Sequence, residues 1–118
     1  MIEAADAAFC YLTTRGRVTG DPHTIEIWFA LKGRTVYMLS GGVARSDWVR
    51  NLIRTPEVTV RIGSRIFVGR ARVVSEPAED ELARGLVYNK YREGYGGDLS
   101  GWRQSSLPLA VDLTDDDE

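Results

Sequence analysis

The chain has 118 residues, 43% of them hydrophobic and 27% charged, an ordinary globular composition at the length of one domain. Its formal charge is −2, but four acids sit in the last five residues, so fifteen bases face thirteen acids in the body, a balance too weak for a general nucleic-acid binder. One histidine and one cysteine are too few for a His/Cys zinc site within the chain, and a lone cysteine closes no internal disulfide, which suits a reducing cytoplasm.

No run approaches the roughly 20 apolar residues of a membrane span. The start, "MIEAADAAFC", is acidic and has no cleavable apolar core, so it does not read as a secretion signal. A single domain is expected over 1–113, followed by an acidic tail over 114–118. Thirteen of the fifteen bases are arginine, whose planar fork suits phosphate and carboxylate, although a GC-rich genome explains the bias as well.

In chain order, "AFCYLTT" (8–14) is rich in aromatic and β-branched residues and predicts a first strand, closed by the turn residues of "RGRVTGDP". "HTIEIWFAL" (23–31) alternates, with His23, Ile25, Ile27, Phe29 and Leu31 on one face and Thr24, Glu26, Trp28 and Ala30 on the other, the pattern of one strand with a single face in the core. "KGR" turns it back into "TVYMLS" (35–40). A short helix follows over "DWVRNLIR", with Ser46 or Asp47 as N-cap, and stops before Pro56. "EVTVRI" and "RIFVGRARVVS" form a second hairpin. Pro77 opens a second helix, with Glu79, Asp80 and Glu81 in its first turn, running to about Tyr91. "REGYGGDLSG" reads as a glycine-rich loop, and "SLPLAVDL" as the last strand. About six strands and two helices result, and short connections demand antiparallel pairing; strands so twisted around a small core close into a barrel. The fold class is mainly β.

The chemistry narrows by counting. A Ser-His-Asp triad would have to use His23, which sits on an apolar strand face and reads more readily as a structural or cofactor-facing residue. No Walker or GxGxxG pattern occurs. The best candidate site is "SGGVARSDWVRNL" (40–52): Ser40 closes a strand, Gly41 and Gly42 let backbone amides approach a ligand, Arg45 offers a charged fork, and Ser46 heads a helix whose free N–H groups favour an anion. The plain alternative is a glycine loop with a solvated Arg45. Trp28 on a nominally exposed face implies a cover, a ligand or a second subunit. Tyr88 and Tyr91 suit helix packing or a substrate mouth, and Tyr95 in its glycine loop is the better functional candidate.

Taken in order, "LTTRGRVTGDPHTIEIWF", then "LSGG", then Trp48, Asn51, Leu52, Pro56, Val58 and Val60, and a closing "WRQSSLP" resemble the deazaflavin-dependent nitroreductase family, a branch of the split β-barrel, FMN-binding-like proteins that includes pyridoxamine-phosphate-oxidase-like enzymes. The resemblance covers about residues 11–111. It implies a six-stranded antiparallel split barrel, usually a homodimer, that binds coenzyme F-420 or alternatively FMN beside the barrel. It further implies that His23, Thr24 and Glu26 along the strand and Ser40, Gly41 and Gly42 at the loop border the ring system, while Arg45, Ser46 and Asn51, with Arg17, hold phosphate. Three departures bear on the cofactor: Val18 stands where relatives often carry lysine, His23 and Glu26 where they often carry arginine and proline, and no lysine separates Ser40 from Gly41.

The expected activity is hydride transfer from reduced deazaflavin or flavin to a small organic acceptor, with no protein nucleophile and no metal. Trp28 and Tyr91 would face the substrate, and Tyr95 would supply a proton. The alternative is a cofactor carrier without turnover. A nucleic-acid-binding barrel would need a basic, aromatic face that a body of net +2 does not offer.

Overall fold

The computed structural model describes residues 6–95 and 97–116. Its strands are β1 (Cys10–Arg15), β2 (Pro22–Ile27), β3 (Ala30–Lys32), β4 (Thr35–Ser40), β5 (Glu57–Ile62), β6 (Arg65–Val73) and β7 (Leu107–Asp116). Helix α1 (Asp47–Arg54) lies between β4 and β5, and α2 (Pro77–Tyr95) and α3 (Ser100–Ser105) lie between β6 and β7. All seven strands join one antiparallel sheet in the order β2-β1-β5-β6-β7-β4-β3.

That order closes the barrel. The two edge strands, β2 and β3, are consecutive in the chain and linked only by Trp28 and Phe29, so Ile27 and Ala30 lie at most roughly 11 Å apart. The sheet must curl until its edges adjoin there, which makes a split β-barrel. Seven strands replace the expected six because 23–31 is two strands: β2 pairs with β1 at one edge, and β3 with β4 at the other. Phe29 enters the core inside the barrel, whereas Ala30, its neighbour, is buried in a second cluster outside it.

The inner core gathers Leu12, Phe29, Val36, Met38, Val60, Leu109 and Val111, and α1 adds Val49 and Leu52 from the helix that carries the chain from β4 to β5. Each such side chain contributes roughly 1.5–3 kcal/mol by burial. The outer cluster forms where α2 lays Ala83 and Val87 on Tyr37, Leu39 and Ala110. β4 is therefore buried on both faces from Val36 to Ser40, which is why "VYML" lacks alternation.

The second helix starts at Pro77 as expected, but runs on to Tyr95, past the expected end near Tyr91. Ser100–Ser105, read partly as loop, forms α3. The last strand continues to Asp116, so the acidic tail expected from Thr114 begins inside β7, and 117–118 lie outside the described residues. The start of the chain over 1–5 and Gly96 also lie outside them.

One polar network pins α2 to the sheet. Arg72 donates to both carboxylate oxygens of Glu79 (2.7 and 2.8 Å) and to Asp112 (2.7 and 3.2 Å), and the Tyr37 hydroxyl donates to Glu79 (2.7 Å). Arg72 and then Tyr37 hold the Glu79 carboxyl down at about 2, and burial, with Glu79 beside it, pushes the Tyr37 phenol up to about 12. A carboxylate with a depressed folded-state pKa stabilises the fold above its unfolded pKa, and that stability is lost as pH falls through about 2. Glu79→Gln should therefore lower Tm by about 5 °C at pH 7, and by less than half as much at pH 3. Thermal unfolding of both proteins at the two pH values checks this; an equal gap at pH 3 and pH 7 contradicts it.

Candidate active site

The turn between β1 and β2 is shaped by glycines. A Cβ on Gly16 would lie 2.8 Å from His23 Nε2, so glycine is what lets the imidazole fold over the turn, and Gly20 takes a left-handed φ of +81°. From this turn Arg17 reaches α1. Its backbone N–H and its Nη1 both donate to Asn51 Oδ1 (3.2 and 2.9 Å), and Nη2 donates to Asp47 Oδ1 (3.1 Å). Asn51, 4% exposed, passes the connection on by donating to Thr14 Oγ1 (3.3 Å). Between turn and helix lies a groove of about 630 Å³, with Arg17, His23 and Thr24 on one wall and Asp47, Trp48 and Asn51 on the other.

Four of the expected cofactor residues, Arg17, His23, Thr24 and Asn51, thus meet in one groove. Glu26 does not join them. It points to the outer sheet face, where it accepts a hydrogen bond from Tyr11 (3.0 Å) across β1, beside the Thr13–Thr24 hydroxyl pair (2.7 Å).

The Ser-Gly-Gly turn is built differently from a simple open cradle. Ser40, 2% exposed, donates to the Val43 carbonyl (2.9 Å) and lies 3.2 Å from Ser46 Oγ. A Cβ on Gly42 would overlap that Ser46 hydroxyl at 2.2 Å, and Val43 is held at a φ of +55°, an unusual conformation for a β-branched residue. Ser46 stands at the N-cap of α1, but its hydroxyl makes no cap bond, so the first-turn amides have no side-chain partner there. Arg45 is exposed, without a hydrogen bond or ion pair among the described residues, and Gly41 is exposed beside an indole, that of Trp102.

That indole belongs to an aromatic cluster at the barrel split. The ring of Trp28 stacks on Tyr91 (4.3 Å, 2°) and meets Tyr95 (5.9 Å, 88°) and Trp102 (5.7 Å, 87°) edge-on. Phe29, having left both ladders, still needs partners for its backbone. The Tyr91 hydroxyl accepts from the Phe29 N–H (3.0 Å) and lies within donating reach of the Ala8 (2.7 Å) and Phe29 (3.1 Å) carbonyls; Lys90 Nζ donates to the Phe29 carbonyl (2.9 Å). Burial raises the Tyr91 phenol and lowers the Lys90 ammonium. Tyr91 is thereby a backing plate for Trp28 with its hydroxyl committed. Tyr95 is 53% exposed, and its hydroxyl has no partner among the described residues.

Trp102 is not among the expected site residues. Its only signal was the closing "WRQSSLP" of the resemblance, and 102–105 fell between the expected loop and the last strand, so no element gave the tryptophan a face.

Comparison with known proteins agrees with this architecture. Solved structures of similar fold include an F420-H2-dependent reductase (18% identity, 94% of this chain and 99% of that one, TM-score 0.73) and a conserved hypothetical protein from Mycobacterium tuberculosis (22%, 98% and 82%, TM-score 0.75). A candidate pyridoxamine 5′-phosphate oxidase from Listeria innocua is similar as well (21%, 95% and 88%, TM-score 0.70). The sequence model of the family described as F420H(2)-dependent quinone reductase matches residues 3–114. A match over nearly the whole chain, on a split barrel of the kind those relatives share, identifies this protein as a member of the F420H(2)-dependent quinone reductase family and an F-420-dependent oxidoreductase.

Proposed function

We propose that the protein transfers hydride from reduced F-420, lying along the groove, to a quinone-type acceptor seated against the Trp28 cluster. The observation that carries this reading is continuity: the turn from Ser40 to Ser46 leads from α1, one wall of the groove, to Gly41, whose Cβ position lies 3.4 Å from the Trp102 indole that meets Trp28. Cofactor and acceptor can then lie edge to edge along one stretch of backbone, which is the proximity that hydride transfer requires.

The residues fit such a cofactor. The groove volume lies within the range of about 300–1,000 Å³ typical of small-molecule sites. Arg17, His23 and Thr24 would flank the bound molecule. Arg45 and the uncapped amides of α1 suit its phosphate. Gly41 and Gly42 would border the ring, while Ser40, Ser46 and Asn51 hold the frame. When bound, reduced F-420 supplies a hydride and releases one proton, so that a quinone becomes a hydroquinone. Tyr95, whose hydroxyl has no partner among the described residues, would pass a proton to the acceptor oxygen, with solvent restoring it. Tyr95→Phe should lower kcat by about 100-fold at unchanged F-420 affinity; full turnover would remove this role.

A titration of the purified protein with F-420 and with FMN, followed by the fluorescence of Trp28, Trp48 and Trp102, tests the cofactor, and stopped-flow oxidation of reduced F-420 by a soluble quinone tests the activity. Saturation by FMN alone, or binding of F-420 with no quinone turnover, defeats the reading; the second outcome makes the protein a carrier. No helix among the described residues is long and apolar enough to cross a membrane. The same reading takes the chain to be a single-domain cytoplasmic protein. It also takes it to be a homodimer, since Phe9, Ile66 and Val68 are exposed apolar side chains. A monomer by light scattering would refute the last point.

A further inference from the structure

We infer that Trp102 forms part of the acceptor site and that its indole N–H donates a hydrogen bond to a carbonyl oxygen of the acceptor. The inference rests on the proposed quinone reductase reading and adds a residue to it.

Three observations converge on this side chain. Its position is where the two halves of the site meet: Nε1 and Cδ1 lie 3.4 and 3.5 Å from the point where a Cβ on Gly41 would stand, and the ring meets Trp28 edge-on at 5.7 Å. Its N–H is uncommitted, having no hydrogen-bond partner among the described residues, and it is not counted among the buried unsatisfied atoms, so it is open to solvent or ligand. Its mount is rigid. Arg84 on α2 donates to the Arg103 and Gln104 carbonyls at the end of α3 (2.6 and 3.1 Å), while Arg103 pairs with Glu81 (2.9 Å). Ser106 bonds the Trp102 carbonyl through both its N–H (3.0 Å) and its hydroxyl (2.6 Å).

These contacts, with the packing of the indole against the outer cluster, hold its N–H in one place, as a donor aimed at a developing charge requires. The chemistry of the acceptor supplies a use. Hydride addition to a quinone builds negative charge on a carbonyl oxygen, and a fixed donor aimed at that oxygen lowers the barrier without reorganising. Trp102 and Tyr95 both stand perpendicular to Trp28, one offering an N–H and the other an O–H. A quinone carries two carbonyl oxygens for those two donors.

Trp102→Phe keeps the ring and removes the donor; Trp102→His restores a ring N–H. The probe is 2-methyl-1,4-naphthoquinone, with two readouts. The first is calorimetric binding of this quinone to protein saturated with oxidised F-420, where no reduction occurs. The second is kcat/KM with reduced F-420. Trp102→Phe should weaken quinone binding and lower kcat/KM by about tenfold or more, Trp102→His should recover part of the loss, and F-420 affinity and Tm should stay within error of wild type. Equal quinone binding and turnover in Trp102→Phe overturns the inference. Loss of F-420 affinity or of Tm in proportion to activity also overturns it, by showing a packing role. A wild-type protein that neither binds nor reduces the quinone defeats the functional reading itself, which separates the two failures.

Discussion

Arg17→Leu is expected to weaken F-420 binding by about 10- to 100-fold, the worth of one charge-assisted hydrogen bond to an anionic ligand. The side chain is already oriented, since Asn51 and Asp47 fix two of its nitrogens, so little rotamer entropy remains to be lost on binding. Asp47 is 85% exposed at its side chain, and its charge is therefore screened and cancels little of the arginine's field. Leucine retains the aliphatic stem, and Asn51 Oδ1 keeps the backbone N–H of residue 17 as a partner, so the fold should lose less than about 1 kcal/mol. A fluorescence titration of wild type, Arg17→Leu and Arg45→Leu measures the effect. Should Arg45→Leu lose affinity while Arg17→Leu does not, the anion is held by Arg45 and the α1 amides alone, and Arg17 only lines the groove.

Gly69→Ala is expected to be the most damaging small substitution in the barrel, costing about 2–4 kcal/mol or preventing soluble expression. Gly69 lies on β6 where the register with β7 shifts: Val68 pairs with Asp115, but Gly69 pairs with Leu113. At that bulge the strands approach so closely that a Cβ would stand 2.5 Å from Val111 Cγ1 and 2.9 Å from the Asp112 carbonyl oxygen. The side-chain contact could relax by a rotamer change, but the backbone contact could not. Asp112 also anchors Arg72, so a displaced β7 would disturb the network that holds α2. Chemical denaturation compares the two proteins; a loss below about 0.5 kcal/mol would mean that the bulge yields freely. Gly94, where an added Cβ meets nothing, is the control position.

Much of this fold was legible because strand signals are local. Alternation in "EVTVRI" and the glycine turns at Gly33 and Gly63, both at positive φ, report what neighbouring residues do to one another. The resemblance over about residues 11–111 supplied the cofactor class and ten candidate residues, four of which line the groove. The break at Trp28–Phe29 was not legible. Alternation continues through "HTIEIWFAL", and the partners that let Phe29 leave the ladder are Lys90 and Tyr91, some sixty residues away. Glu26 shows the same limit from the other side: its face was correctly separated from that of His23, but only the pairing of β1 with β2 assigns it to Tyr11 and the outside.

The sequence by itself determined a mainly β, antiparallel domain and the order of its two hairpins and first two helices, because these depend on periodicity and turn chemistry carried in the residues themselves; of the ten cofactor residues implied by the family pattern, Arg17, His23, Thr24 and Asn51 line one groove. Only the tertiary structure decided how the sheet closes, that the Ser40 hydroxyl is committed to the Val43 carbonyl and lies against that of Ser46, and that Trp102 reaches Gly41 and Trp28. Those are contacts between elements far apart in the chain, set by how a curled sheet brings its two edges and its helices together, and no local pattern encodes them.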